Sequence, residues 1–148
     1  VDAITRAAQP AFAAALGAAA KNRETFRASA EKERKEMIAV ITRTIPNVYI
    51  NEGHVQAPNI LNRSLPGRDT DYLVALLDED GFAVSTRSAC ETDSEEGSRA
   101  VLVLTGDLER ARTTLRVSLG PGISSTELRR FAKELARAVA FVDNSSQR

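Results

Sequence analysis

The spacing of apolar residues divides the chain into one long helical segment, several short extended segments and a set of shorter helices. Helical periodicity runs over 4–44, where Phe12, Leu16, Phe26, Met37 and Ile41, with Ile45 just beyond, fall on or near one face. Pro10 is expected to interrupt this helix early, and Gly17 to weaken it. Between Lys21 and Glu36 both charge signs mix, with Glu31 and Lys35 four apart in the favourable order, which is the pattern of a solvated helix face. Pro46-Asn47 ends the helix, and Val48-Tyr-Ile50 predicts a short strand.

Further along, Ile60-Leu-Asn-Arg-Ser64 alternates as a second strand. After the Pro66-Gly67 turn, Asp69 or Thr70 is placed to cap a helix carrying Tyr72, Leu73, Leu76 and Leu77, with Gly81 at its C-terminal end. A strand over 82–85 is expected to lead into a polar loop over 86–98. A helical turn at 100–104, a short helix starting at Asp107 and a strand over 114–118 follow. Ser124 or Ser125 caps a final helix whose Leu128, Phe131, Leu135, Ala138 and Val142 form a core-facing stripe, and 144–148 is expected to fray. These elements specify a single α+β domain over 1–148, a small, mostly antiparallel sheet covered on one face by helices. The segment 1–45 is its long N-terminal helix.

Composition narrows the function classes. The 148 residues are 43% hydrophobic and 27% charged, ordinary values for a folded domain. Twenty basic residues balance twenty acidic ones, so the chain carries no electrostatic footprint for nucleic acid or an anionic membrane. No apolar run approaches the ~20 residues of a membrane-crossing helix. The alanine-rich stretch 11–20 is read as helix rather than signal peptide, because alanine is weakly apolar and the charge pattern continues into 21–36. The start at Val1 reads as a piece cut from something longer. One cysteine precludes an internal disulfide, and no Cys/His cluster exists for structural zinc; both fit a reducing, cytoplasmic setting.

Two residues stand out chemically. Cys90 heads a small, polar loop in Val84-Ser-Thr-Arg-Ser-Ala-Cys90, and the residues leave open whether its thiol is exposed and reactive or buried and inert. Arg87 would lower its pKa, whereas Glu91, Asp93, Glu95 and Glu96 would raise it. Arg116 interrupts an apolar strand in Leu115-Arg-Val117; it suits either a carboxylate clamp in a cleft or the solvent side of the strand. His54, the single histidine, has no nucleophile at triad-like spacing and is read as a solvated loop residue.

In their order along the chain, four pieces resemble the C-terminal small domain of a cysteine desulfurase, a fold-type I pyridoxal-phosphate enzyme of the class V aminotransferase group. Ala57-Pro-Asn-Ile-Leu-Asn-Arg-Ser64 is similar to its Pro-Asn-x-Leu-Asn-x-Ser strand. Gly81-Phe-Ala-Val-Ser-Thr-Arg-Ser-Ala-Cys90 is similar to the strand and loop ending in Ser-Ala-Cys. Ala111-Arg-Thr-Thr-Leu-Arg-Val-Ser-Leu-Gly120 is similar to its Arg-Phe-Ser-Leu-Gly strand, with a final helix at the expected distance. The long first helix resembles the segment that joins the large and small domains. Arg87 stands where a glycine is common, and Pro121 where an arginine often follows Leu-Gly.

The resemblance implies that Cys90, on a mobile loop over 86–98, takes sulfur from L-cysteine as a persulfide, and that Arg116 holds the substrate carboxylate. It implies a homodimeric enzyme that passes sulfur to an iron–sulfur scaffold or another carrier, with Cys90 also a shared cluster ligand. The cofactor lysine, preceded by histidine in the family, has no counterpart among Lys21, Lys32, Lys35 and Lys133, so pyridoxal phosphate is expected to belong to a missing large domain and this chain to be inactive alone. The readings without that chemistry are a non-catalytic interaction domain using the acidic loop, and a cofactor-independent thiol or sulfur-carrier module.

Overall fold

The computed structural model describes residues 3–87 and 97–145. Helix α1 (Ala3–Thr44) is followed by strands β1 (Tyr49–Ile50) and β2 (Ile60–Ser64), helices α2 (Thr70–Glu79), α3 (Arg99–Thr105) and α4 (Leu108–Arg112), strand β3 (Thr114–Ser118) and helix α5 (Ser125–Ser145). The strands form an antiparallel sheet in the order β1-β2-β3, with Leu61 opposite Val117 and Asn62 opposite Arg116. Together these make the α+β arrangement anticipated for a fold-type I small domain.

Local chemistry explains the ends of the helices. The Asp69 carboxylate accepts from the Tyr72 amide at 3.0 Å and so caps α2. Gly81, at φ +82°, closes it: the Gly81 amide donates to the Asp78 carbonyl and the Phe82 amide to the Leu77 carbonyl, both at 2.9 Å. At α5, Ser124 and Glu127 cap each other reciprocally; the Glu127 amide donates to Ser124 Oγ, while the Ser124 amide and hydroxyl donate to Glu127 Oε2. Those bonds hold the Glu127 carboxyl below its usual range.

The core lies between one face of the sheet and α1, α2 and α5. Leu61, Leu115 and Val117 meet Met37, Ile41 and Ile45 of α1, Leu73 and Leu77 of α2, and Leu128, Phe131 and Leu135 of α5. Arg68 ties the far end together, donating twice to the Asp143 carboxylate (2.7 and 2.9 Å) and once to the Pro46 carbonyl. On the opposite face, α4 covers the end carrying Ser64 and Thr114, whose hydroxyls donate to the Arg110 carbonyl. Asn62 and Arg116 beyond them are half-buried.

Several expectations change. Helix α1 runs unbroken through Pro10, because a proline removes one backbone donor near the start without ending the helix. Phe12 and Leu16 are 71% and 60% exposed, so the apolar stripe enters the core only from about Ala30 onward. The segment 82–85 is not a ladder strand: only Ser85 bridges to Arg116, since the Phe82 amide is spent capping α2 and its ring packs edge-on against Phe131 at 5.3 Å. Asn144 and Ser145 continue α5, and 146–148 lie outside the described residues.

Candidate functional site

Strand alternation sets Arg116 on the face opposite Leu115 and Val117, away from the helix-packed core. Its backbone is bonded both ways to Ser85. The Ser85 amide donates to the Arg116 carbonyl at 3.1 Å, and the Arg116 amide donates to the Ser85 carbonyl at 2.6 Å. The segment that continues to Cys90 therefore leaves the sheet directly beside Arg116. Among the described residues no hydrogen bond or ion pair engages the Arg116 guanidinium.

Cys90 lies within 88–96, outside the described residues, but both ends of its segment are placed. On the leading side, Asp71 in the first turn of α2 accepts from the Thr86 hydroxyl at 2.9 Å and from Arg87 Nη2 at 2.8 Å. Arg87 and Asp71 thus form an ion pair across the start of the segment. On the returning side, Gly97 sits at φ +74°, where a Cβ would collide with the Ala111 carbonyl, and the Ser98 amide donates to that carbonyl at 2.9 Å.

A polar network missed by the sequence reading underlies the Arg116 face. Arg110 reaches Asn51 Oδ1 through Nε (3.1 Å) and Nη2 (2.6 Å), donates to the Ile50 carbonyl, and stacks over the Tyr49 ring at 5.2 Å. The Asn51 amide in turn donates to Asn62 Oδ1 and Ser64 Oγ, each at 2.7 Å. The alternation of Asn62 and Ser64 in β2 was the available signal, since both point to the polar face.

Other candidates fall elsewhere. His54 is exposed in the connection between β1 and β2. Lys21, Lys32 and Lys35 on α1, and Lys133 on α5, are exposed on helices that pack against the core face of the sheet. No group of three His, Cys, Asp or Glu side chains suited to a metal occurs among the described residues. A cavity of about 230 Å³ lined by Met37, Phe82, Val84, Val117, Leu119 and Phe131 opens on the core side of the sheet, not at Arg116. Among the described residues no helix is long and apolar enough to cross a membrane.

With this geometry in place, the fold is that of the small domain of a fold-type I pyridoxal-phosphate enzyme. A structure titled as a NifS-like protein superposes with a TM-score of 0.68 over 83% of this chain and 30% of its own, at 24% identity. Sequence narrows the class. A cysteine desulfurase from a Frankia species is 30% identical over 141 residues, 90% of this chain and 33% of the relative. A mitosomal cysteine desulfurase from Trachipleistophora hominis is 30% identical over 115 residues, 74% of this chain and 25% of the relative. No family model matches. The chain is similar to the cysteine desulfurases and spans about a third of the length of the Frankia relative.

Proposed function

We propose that this chain is the sulfur-accepting small domain of a cysteine desulfurase. Its reaction moves the sulfur of L-cysteine to Cys90: the substrate C–S bond breaks, an S–S bond forms on the Cys90 sulfur, and alanine leaves. Atoms balance without an external oxidant. Pyridoxal phosphate, held by a large domain that this chain does not supply, would provide the electron sink for that cleavage. This chain's own part is to bind and to deliver. Arg116 grips the α-carboxylate by paired N–H···O bonds, and Cys90 is the nucleophile that leaves with the sulfur. The single observation that carries the reading is the two-way backbone pairing of Arg116 with Ser85, which starts the cysteine segment next to a guanidinium with no partner among the described residues.

The persulfide then passes to an acceptor, for which an iron–sulfur scaffold in the cytoplasm is the reading adopted, with Cys90 as an occasional cluster ligand. The whole enzyme works as a homodimer, and the expected cysteine loop, 86–98, lies largely outside the described residues. Supplying the chain with the large domain of a curated relative, cofactor and cysteine should yield sulfide under reductant, with one alanine per sulfide. Cys90→Ser should abolish sulfide release, whereas Arg116→Ala should raise KM by about tenfold or more. Unchanged turnover in Cys90→Ser would sink the mechanism.

A further inference from the structure

Asn62 and Arg116 face each other across β2 and β3 on the polar side of the sheet, and both are half-buried. The amide and carbonyl of Arg116 are bonded to Ser85, and the Asn62 carbonyl accepts from the Asn51 amide at 3.1 Å. The two residues therefore form a non-hydrogen-bonded cross-strand pair, the kind whose side chains lie closest. Hydrogen-bond polarity fixes which end of the Asn62 amide is free. Arg110 can only donate, and it holds Asn51 Oδ1 through Nε and Nη2 at 3.1 and 2.6 Å. Asn51 Nδ2 must then be turned the other way, where its two N–H groups go to Asn62 Oδ1 and Ser64 Oγ, each at 2.7 Å. Asn62 is left with Oδ1 occupied and both Nδ2 hydrogens without an acceptor among the described residues. Turning its amide over would set N–H donors against each other. Arg63, by contrast, is enclosed on the core face with none of its three guanidinium nitrogens hydrogen-bonded, beside an Arg34 already held by Glu52 and the Ile60 carbonyl, and it offers a ligand no approach.

We propose that Asn62 is a second substrate-binding residue, whose Nδ2 donates to the α-carboxylate; this rests on the reading of Arg116 as the carboxylate grip. The guanidinium supplies charge and a paired contact, and the neutral amide adds a donor from the neighbouring strand, which fixes the direction of the carboxylate as well as its place. Arg110 and Asn51 act as positioning residues, because they keep the nitrogen of that amide, and not its oxygen, available to the ligand. Every group offered is a donor, so a carboxylate is selected over a carboxamide, whose own N–H groups would be left unpaired.

Titration of the isotopically labelled chain with L-alanine, which carries the α-carboxylate without a thiol, tests this by NMR at constant pH and ionic strength. The Asn62 Nδ2–H2 pair and the Arg116 Nε–H should move along one saturation curve, and L-alaninamide should move neither. Asn62→Ala should weaken the curve read at Arg116 about fivefold, the usual worth of one hydrogen bond. Movement of Arg116 with the Asn62 pair fixed, or an unchanged curve in Asn62→Ala, removes Asn62 and leaves the carboxylate reading of Arg116 intact. If neither resonance responds, that reading fails and the role of Asn62 fails with it. Should Asn62→Ala not fold, the wild-type titration decides alone.

Discussion

Arg63 and Arg116 lie within adjacent strands of one sheet, yet their environments are opposite. Arg116 lies on the polar face, half-buried beside Ser85. Arg63 points to the core face, 1% exposed, and burial draws its pKa down to about 10. A residue type chosen for surface or site chemistry becomes a destabilising charge when the pleat turns it inward. Arg68 completes the comparison. Its side chain is only 7% exposed, but the paired bonds to Asp143 and the contact with the Pro46 carbonyl satisfy it. Lack of a partner, more than burial, separates the costly arginine from the useful one.

The largest expected effect tests that distinction. Arg63→Met should stabilise the chain by about 3 kcal/mol in equilibrium denaturation, since a pKa lowered from 12.5 to about 10 corresponds to a penalty of that order and the aliphatic stem is retained. The sign with pH follows. The guanidinium is easier to deprotonate in the folded state, so its penalty is fully present below about pH 10 and fades as pH rises through that value. The advantage of Arg63→Met should narrow accordingly above pH 10; a constant gap would mean that packing, not charge, is responsible.

Arg68→Met should act in the opposite direction, destabilising by about 1–2 kcal/mol through the loss of two charge-assisted bonds. Hydrogen bonding from Arg68 holds the Asp143 carboxyl below its usual range. Its contribution is therefore present above the ordinary carboxylate pKa and is lost as pH falls through the lower folded value, so wild type and Arg68→Met should converge in acid. If both arginine replacements shifted stability in the same direction, partner satisfaction would not be the governing variable.

Arg116→Met should change stability by less than about 0.5 kcal/mol, since no described group loses a partner. A greater loss in thermal unfolding would assign Arg116 to the structure rather than to a ligand. The smallest effect is expected at Asp71, whose carboxylate is 64% exposed while it holds Thr86 and Arg87. Asp71→Ala should cost at most ~0.5 kcal/mol, but it should change the alkylation rate of the lone thiol by a few-fold by releasing the root of its segment. An unchanged rate would show that the tie does not govern the cysteine.

Much of the architecture was readable without coordinates because local chemistry decides it. The bounds of β2 and β3 follow from alternation in Ile60–Ser64 and Thr114–Ser118, the ends of α2 from Asp69 and Gly81, and the start of α5 from Ser124. At the site, the resemblance singled out Arg116 and Cys90. Arg110 and Asn51, which brace the same face, were not legible, because they meet across 59 residues and each looks like an ordinary surface polar group.

The order of helices and strands, the capping and the facing of each strand residue were determined by the amino-acid sequence alone, since they depend on spacings of two to four residues. Only the tertiary structure decided that residues 82–85 would cap a helix and touch the sheet at one point, that Phe12 and Leu16 would stay outside the core, and that Arg63 would be enclosed beside a neighbour already saturated. Those outcomes depend on which surfaces compete for the same donors and the same space, and that competition exists only after distant segments have packed together.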